Sequence, residues 1–172
     1  MTVEPIDPDQ RRQVCNATAE AVERASHLYE RCFAPIRVCF DLCGTAAGMY
    51  RVRRGDRSIR YNPWIFARYF KDSLAVTVPH EVAHYITDCL HGLSRVRPHG
   101  PEWRAVMQAL GADARVSARY DLSGLPLRRQ RRYDYRCDCR RHQLSAVRHN
   151  RVQRGETAYL CRQCRTAIVY AG

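Results

Sequence analysis

Residues His80 to His84 have the pattern H-E-x-x-H, which restricts the local fold more than any other feature of the chain. In an α-helix, residues i and i+4 lie on the same face, one turn apart. On a helix, His80 and His84 therefore present ring nitrogens to a single metal ion. Glu81 is rotated by about 100° from His80, so its carboxylate can reach a water beside the metal. The pattern predicts a zinc hydrolase site on a helix.

The residues around this pattern support a helix over residues 73–91. Apolar side chains recur there at four-residue steps, which is typical of one buried helical face. They are Leu74, Val78, Val82 and Ile86. Pro79 lies immediately before His80 and lacks a backbone donor, so we expect a bend just ahead of the site.

The third zinc ligand is not part of the H-E-x-x-H run. A catalytic zinc usually has three protein ligands and an open fourth position. The compact spacing of metzincins would place a third histidine six residues after His84, where this chain has Leu90. His91 lies about 10 Å from His84 along a straight helix, which is too far to share the ion. The third ligand is therefore expected further along the chain.

Two residues at the next predicted helix, Pro101–Leu110, are candidates for this third ligand. His99 follows a loop with glycine and proline that can turn the chain back towards the site. Glu102 would lie in the first helical turn, where the helix dipole favours a carboxylate even without a metal. We prefer His99, and Glu102 remains the alternative.

The remaining pattern predicts an α+β fold with two domains, residues 1–127 and 128–172. An amphipathic helix is expected over residues 9–33, with Asp7 or Asp9 as its cap. Three short extended segments follow it: Ile36–Phe40, Gly48–Arg53 and Ser58–Asn62. The last two flank a turn at residues 54–57, which indicates a hairpin. Residues 123–126, Ser-Gly-Leu-Pro, have the composition of a linker and mark the end of the first domain.

Most of the excess positive charge lies in residues 128–172. The chain has 29 basic and 17 acidic residues, and its net charge is +12. Twelve of the basic residues, all of them arginines, fall in this segment, together with only three acidic ones. Arginine suits phosphate geometry, and the tyrosines between the arginines suit stacking on bases. We therefore expect this segment to bind DNA or another nucleic acid.

Five metal-binding side chains in this segment have the spacing of a zinc ribbon. They are Cys137, Cys139, His142, Cys161 and Cys164. Four ligands saturate a tetrahedral zinc, so the site would be structural. Cys137, Cys161 and Cys164 are the expected ligands, with Cys139 preferred over His142 as the fourth. A segment of about 40 residues builds little core, so zinc binding is expected to drive its folding.

The other five cysteines lie among apolar residues, and we expect small buried side chains rather than disulfides. They are Cys15, Cys32, Cys39, Cys43 and Cys89. The C-x-C and C-x-x-C pairs favour metal binding in a reducing compartment. The first residues, MTVEPIDPDQRRQ, lack an apolar signal region, and no apolar run is long enough for a membrane. A cytoplasmic location is therefore expected.

Three motifs together resemble the bacterial SprT family. The first is V-P-H-E-V-A-H-Y around His80, and the second is H-G-P-E-W beginning at His99. The third comprises Y-R-C-x-C-x-x-H-Q-L, R-H-N-R-V-x-R-G-E and Y-x-C-x-x-C in the C-terminal segment. The resemblance covers nearly the whole chain. It implies a zincin-like metalloprotease domain followed by a small β-rich zinc ribbon.

The SprT family is similar to the Spartan-type proteases, which digest proteins crosslinked to DNA. The resemblance implies that His80, His84 and His99 bind the catalytic zinc and that Glu81 is the catalytic base. The leading hypothesis is a metalloendopeptidase with one catalytic and one structural zinc that acts on proteins associated with nucleic acid. The alternative is a non-catalytic zinc-binding module that interacts with nucleic acid or regulates a partner. Glu81 favours turnover, because a structural site has no need of that carboxylate.

Two further details of catalysis are expected from the sequence. Tyr85, Tyr120 and Arg97 are the candidates for stabilising the oxyanion, and the sequence does not choose among them. Residues Ile59–Asn62 are the expected edge strand, along which an extended peptide substrate would pair.

Overall fold

The computed structural model describes residues 3–114, 120–127 and 131–172 of the chain. It contains two compact units, Met1–Arg128 and Arg129–Gly172. Each unit combines helical and extended segments around a three-stranded sheet, so the predicted α+β composition is confirmed. The predicted boundary after residue 127 adjoins residues 128–130, which lie outside the described part of the chain. None of the described helices is long and apolar enough to cross a membrane.

The first helix, α1 (Pro8–Leu28), begins at the predicted cap. The Asp7 side chain accepts a hydrogen bond from the Gln10 amide at 2.7 Å, and the Gln10 side chain accepts one from the Asp7 amide at 3.1 Å. The predicted end near residue 33 is wrong, because Glu30 adopts a left-handed backbone with φ 46°. The chain turns there, and Phe33 folds back into the core.

Three strands form the sheet of the first unit: β1 (Arg37–Cys39), β2 (Gly48–Arg53) and β3 (Asp56–Tyr61). Their order is β1-β3-β2, with β3 parallel to β1 and antiparallel to β2. The β2–β3 turn has positive φ at Arg54 (51°) and Gly55 (87°), as a tight two-residue hairpin requires. The predicted edge strand at Ile59–Asn62 is wrong, because β3 has a partner on both sides. The edges of this sheet are β1 and β2.

Two short helices, α2 (Pro63–Arg68) and α3 (Phe70–Asp72), lead into the predicted metal helix. That helix is irregular at its start. Residues Ser73–Thr77 form a π-helical turn, closed by a hydrogen bond from the Val78 amide to the Ser73 carbonyl, and α4 (Val78–His91) follows. Pro79 lies in the first turn of α4, where its missing amide proton is tolerated. The irregularity expected ahead of His80 is therefore a π-helical turn.

The core of the first unit surrounds α4. This helix packs against α1, against the sheet and against α5 (Pro101–Ala109), which begins at the predicted proline. The largest fully buried side chains of the unit come from all of these elements and include Ile59, Tyr61, Phe66, Ile86 and Trp103. Because α4 is held on several sides, the positions of His80 and His84 are set by the packing of the whole unit.

The second unit is a small sheet with one helix. Strand β4 (Arg132–Arg136) lies between β5 (Arg141–Ser145) and β6 (Val169–Tyr170), and both pairings are antiparallel. Helix α6 (Ala146–Gln153) follows β5. The sequence did not predict α6, because none of its residues is buried and no apolar stripe marks it. The buried residues of this unit are few: Tyr135, Leu144, Cys161 and Ile168.

The prediction of burial for the five cysteines outside the ribbon is wrong. Cys32 and Cys43 are exposed, and the other three are only partly buried. Cys32 lies beyond the end of α1, and Cys43 lies in the loop between β1 and β2, so neither belongs to a regular element that faces the core. Apolar neighbours in sequence were a poor guide here, because they lie in loops.

Candidate metal centre

Three histidines of the first unit converge on one point. His80 and His84 lie one turn apart on α4, and His99 immediately precedes the N-terminal residues of α5. Their Nε2 atoms are 3.3 Å apart between His80 and His84, 3.1 Å between His84 and His99, and 3.0 Å between His99 and His80. The structure thus brings together the three histidines that the sequence singled out. Glu102 does not belong to this group.

The spacing of the three nitrogens fits a metal ion. Each Nε2 carries either one proton or one lone pair, so the three mutual contacts cannot all be hydrogen bonds. Three nitrogens bound to zinc at about 2.0–2.1 Å with tetrahedral angles would lie about 3.3–3.4 Å apart. The observed distances of 3.0–3.3 Å are close to that spacing. The histidines therefore form a three-ligand group that could hold zinc and leave a fourth position for water.

The surroundings of this group favour neutral imidazoles. Burial lowers the pKa of His84 to about 3, and the positive charges of His80 and His99 lower it further. Burial also lowers the pKa of His99. Neutral imidazole is the form that binds a metal, so the site is prepared for a cation.

A tight turn before α5 places His99. Its backbone is in the left-handed region, with φ 57°. The next amide, that of Gly100, donates to the Arg97 carbonyl at 2.9 Å. A Cβ on residue 100 would lie 2.9 Å from the same carbonyl oxygen and 3.1 Å from the Glu102 carboxylate. Glycine at this position therefore allows the turn that directs His99 towards α4.

Trp103 forms the buried wall behind the three histidines. It is 1% exposed, and its ring centroid lies 4.7–5.6 Å from the three imidazole centroids. Its Nε1 donates to the His80 carbonyl at 3.3 Å. These contacts restrict the ring planes of all three histidines. Sequence analysis missed this function, although Trp103 lies one helical turn after His99 in the H-G-P-E-W motif.

Glu81 faces strand β2 and is almost fully buried, with 6% of its surface exposed. Its Oε2 accepts a hydrogen bond from the Tyr50 amide at 2.6 Å. Burial raises the pKa of Glu81 to about 7, and the hydrogen bond from Tyr50 lowers it by a smaller amount. The close approach depends on Gly48, where a Cβ would lie 2.6 Å from both Cγ and Oε1 of Glu81. The sequence gave no sign of this contact.

Asp88, two turns beyond Glu81 on α4, fixes the sheet against the helix. Its Oδ2 accepts hydrogen bonds from the Tyr50 hydroxyl at 2.6 Å and from Arg57 Nε at 2.7 Å, and its Oδ1 accepts one from the Leu93 amide at 3.0 Å. Burial raises the pKa of Asp88, but these hydrogen bonds outweigh it and leave the pKa below its ordinary value. Tyr50 thus contacts Asp88 through its hydroxyl and Glu81 through its amide.

An open cleft of about 370 Å³ lies over the histidines and Glu81. Residues 48–50 of β2 form one side, and the loop after α4, including Arg97, forms the other. Arg97 is the only oxyanion candidate among the residues lining this cleft. Tyr85 donates its hydroxyl to the Ala34 carbonyl at 2.7 Å, and Tyr120 donates to Asp72 at 2.7 Å. Both tyrosine hydroxyls are therefore engaged elsewhere.

A second group of metal-binding side chains lies in the second unit. The sulfur atoms of four cysteines lie within 4.8 Å of one another: Cys137, Cys139, Cys161 and Cys164. Cys139 Sγ is 3.4 Å from Cys137 Sγ and 3.7 Å from Cys161 Sγ. Four sulfurs bound to zinc at about 2.3 Å in a tetrahedron would lie about 3.8 Å apart. The group could therefore hold one zinc with no open position.

The surroundings of the four sulfurs do not favour their joint ionisation without a cation. Backbone amides of Cys164 and Gln163 lower the pKa of Cys161, whereas hydrogen bonding to the Cys137 sulfur raises that of Cys139 to about 12. His142 is not part of the four-sulfur group, and its Nε2 lies 3.1 Å from Cys137 Sγ. This geometry favours Cys139 over His142 as the fourth ligand, with His142 next to one sulfur.

Comparison with known proteins identifies relatives along most of the chain. The model of the SprT-like family matches residues 18–125. Protein SprT of Vibrio parahaemolyticus serotype O3:K6 is 34% identical over 154 residues, which cover 89% of each chain. Protein SprT of Klebsiella pneumoniae subsp. pneumoniae is 34% identical over 160 residues, 92% of each chain. Protein SprT of Pseudomonas paraeruginosa is 37% identical over 161 residues, 91% of this chain and 94% of its own. No solved structure matches.

Proposed function

The chain belongs to the SprT family, and from this premise we propose that it is a zinc-dependent metalloendopeptidase with a zincin-like first unit. The observation that carries the proposal is the cleft in which His80, His84 and His99 converge beside the buried Glu81. Three ligands and a nearby carboxylate are what hydrolysis at a metal requires. A structural site would need a fourth ligand and no carboxylate.

The residues of the cleft have distinct functions in the proposed mechanism. A zinc ion bound by the three histidines would supply Lewis acidity that polarises the scissile carbonyl and acidifies water. Glu81 takes a proton from the attacking water as the new C–O bond forms, and then donates it to the leaving amine as the C–N bond breaks. Its Oε2 is held by the Tyr50 amide, which leaves Oε1 for the proton. The raised pKa of Glu81 suits a group that accepts and returns a proton near neutrality.

The proposed peptide substrate lies along β2. This strand is an edge of its sheet, and its residues Gly48, Met49 and Tyr50 line the cleft. An extended peptide can pair with the backbone of an edge strand, and its side chains then alternate between the cleft and solvent. Arg97, on the opposite wall, is the proposed partner of the oxyanion.

The second unit is proposed to be a zinc ribbon that recruits the enzyme to nucleic acid. Cys137, Cys139, Cys161 and Cys164 would hold the structural zinc. The arginines of this segment supply the positive charge for phosphate contacts. The proposed substrates are therefore proteins associated with DNA or another nucleic acid, in keeping with the resemblance to Spartan-type proteases.

A non-catalytic zinc-binding module is the second candidate. The basic character of residues 128–172 supports nucleic-acid binding whether or not the first unit hydrolyses peptides. In that case the protein would bind two zinc ions and nucleic acid but would not cleave a bound protein.

The test compares Glu81→Gln with Glu102→Gln, a matched change of a nearby carboxylate outside the histidine group. The substrate is a protein crosslinked to a DNA oligonucleotide, and zinc content is measured alongside cleavage. We expect Glu81→Gln to keep two zinc ions per chain and to lose at least about 100-fold in cleavage rate, whereas Glu102→Gln cleaves like the wild type. Cleavage by Glu81→Gln at the wild-type rate would show that Glu81 is not the base. Absence of cleavage by the wild type would support the non-catalytic candidate.

A further inference from the structure

The first sheet has an arginine-rich outer face that the proposed function does not use. Strand register assigns side chains to this face, because directly paired residues point to the same side of a sheet. The face has three rows across the strands, namely Arg37–Ser58–Arg51, Cys39–Arg60–Met49 and Asp56–Arg53. The alternate residues Ile59 and Tyr61 are fully buried in the core. The arginine rows therefore face away from α4, towards solvent.

The charge on this face is not neutralised by neighbouring carboxylates. Arg54, at the β2–β3 turn, extends the cluster to the end of the sheet. Within residues 3–114, 120–127 and 131–172, no carboxylate forms a salt bridge with Arg37, Arg51, Arg53 or Arg54. The Asp41 carboxylate lines the same groove but is paired with Arg60 at 2.8 Å. The face thus keeps a surplus of guanidinium groups for a ligand.

We propose that the outer face of the first sheet, comprising Arg37, Arg51, Arg53, Arg54, Ser58 and Arg60, binds the phosphodiester backbone of duplex nucleic acid. The cationic residues of the face are all arginines, whose planar guanidinium groups pair with phosphate in two-pronged geometry. They line an open groove of about 450 Å³. The face carries no aromatic side chain, so it offers no platform for unpaired bases. These features favour the backbone of a duplex over a single strand.

This surface adjoins the proposed peptide cleft through strand β2. Met49 belongs to the outer face by register and also lines the cleft. Arg51 lies two residues further along the same strand, about 7 Å away. If the first unit is a peptidase, as proposed above, duplex bound to the arginine face would run beside the cleft. A protein attached to that duplex would then lie close to His80 and Glu81.

The test measures binding of the full-length protein to a fluorescent duplex oligonucleotide over a range of salt concentrations. The test variant is Arg37→Gln/Arg51→Gln/Arg53→Gln. The control is Arg12→Gln/Arg24→Gln/Arg31→Gln, which removes the same charge from exposed positions on or just after α1. Each lost phosphate contact lowers the salt slope by about 0.9, so the test variant should lose about 2–3 from the slope and at least about tenfold in affinity. The control should change affinity by less than about threefold.

Equal weakening by the two triple variants would overturn the proposal, because only net charge would then matter. Loss of binding to a polyglutamate peptide without loss of duplex binding would also overturn it and would identify an acidic protein partner instead. Thermal unfolding checks that both variants are folded. If the test variant is unfolded, Arg37→Lys/Arg51→Lys/Arg53→Lys keeps the charge and should still weaken duplex binding, whereas wild-type affinity would overturn the proposal. The assay needs no cleavage, so a failure of Glu81 as the base would leave its result unchanged.

Discussion

The two candidate metal sites differ in what holds their ligands together. In the first unit, the three histidines are positioned by α4, by the turn before α5 and by the buried Trp103, within a core that has many other members. In the second unit, Cys161 is itself one of only four residues that form the buried cluster. The first unit thus has a fold that positions ligands, whereas the ligands of the second unit make up much of its core.

This difference predicts opposite consequences of losing a ligand. The first unit should remain folded and lose its chemistry, since its hydrophobic core does not include the histidines. The second unit should lose its fold, because so small a core does not offset the conformational entropy of its chain without a metal. The variants below test this contrast, from the largest expected effect to the smallest.

Cys161→Ser should have the largest effect and unfold the second unit. Structural zinc sites contribute about 10 kcal/mol or more to folding, so losing a ligand removes most of the stability of the unit. Backbone NMR of the full-length protein should show collapsed amide dispersion for residues 131–172 and unchanged shifts for the first unit. Cys32→Ser, at an exposed cysteine, is the matched control. Retained dispersion in Cys161→Ser would show that the second unit folds without this ligand.

His99→Ala should remove the zinc of the first unit and leave the unit folded. Losing one of three ligands should weaken metal binding by more than about 100-fold. Zinc analysis should therefore fall from two ions per chain to one, with circular dichroism unchanged. His91→Ala changes a histidine on the same helix and should keep both ions. A variant of His99 that kept two zinc ions would exclude it as a ligand.

Asp88→Asn should weaken the attachment of the sheet to α4. Asp88 accepts two hydrogen bonds in a buried position, so the loss should be about 2–3 kcal/mol in urea unfolding at pH 7. Asp41→Asn, which breaks a more exposed pair with Arg60, should lose less than about 1 kcal/mol. The folded-state pKa of Asp88 is lowered, so its contribution is complete above about pH 4 and is lost on acidification. The difference between wild type and variant should therefore shrink below that pH.

Gly48→Ala should have the smallest effect on stability but a clear effect on cleavage. The added Cβ would overlap Glu81, and the strain should destabilise the protein by about 1–2 kcal/mol. Displacement of Glu81 should lower the cleavage rate by more than about tenfold while both zinc ions remain. Gly44→Ala is the matched control, since no atom lies within 4 Å of its added Cβ. Equal cleavage by the two variants would show that Glu81 does not need the approach of β2.

The sequence located the parts of the site that depend on local spacing. His80, Glu81 and His84 follow from one helical turn, and the turn at residues 97–101 makes His99 the natural partner of α4. The hydrogen bond from the Tyr50 amide to Glu81 joins residues 31 positions apart, and it involves a backbone group that every residue type but proline carries. No side-chain pattern therefore marks it.

The sheet shows the same limit of sequence analysis in another form. The hairpin between β2 and β3 was predicted because its turn residues are local. The parallel pairing of β1 with β3 depends on how the chain crosses over the sheet, which alternation alone does not specify. The edge was therefore assigned to Ile59–Asn62, when it belongs to β2.

The left-handed backbone of His99 implies a conflict between stability and chemistry at that residue. A side chain in this conformation raises the free energy of the folded state by about 1 kcal/mol relative to glycine. Selection for stability alone would replace His99 with glycine, which would relax the loop. Selection for metal binding keeps the imidazole. A thermostability screen that ignored catalysis would therefore be drawn towards glycine at this position, and the variants it recovered would be more stable and inactive.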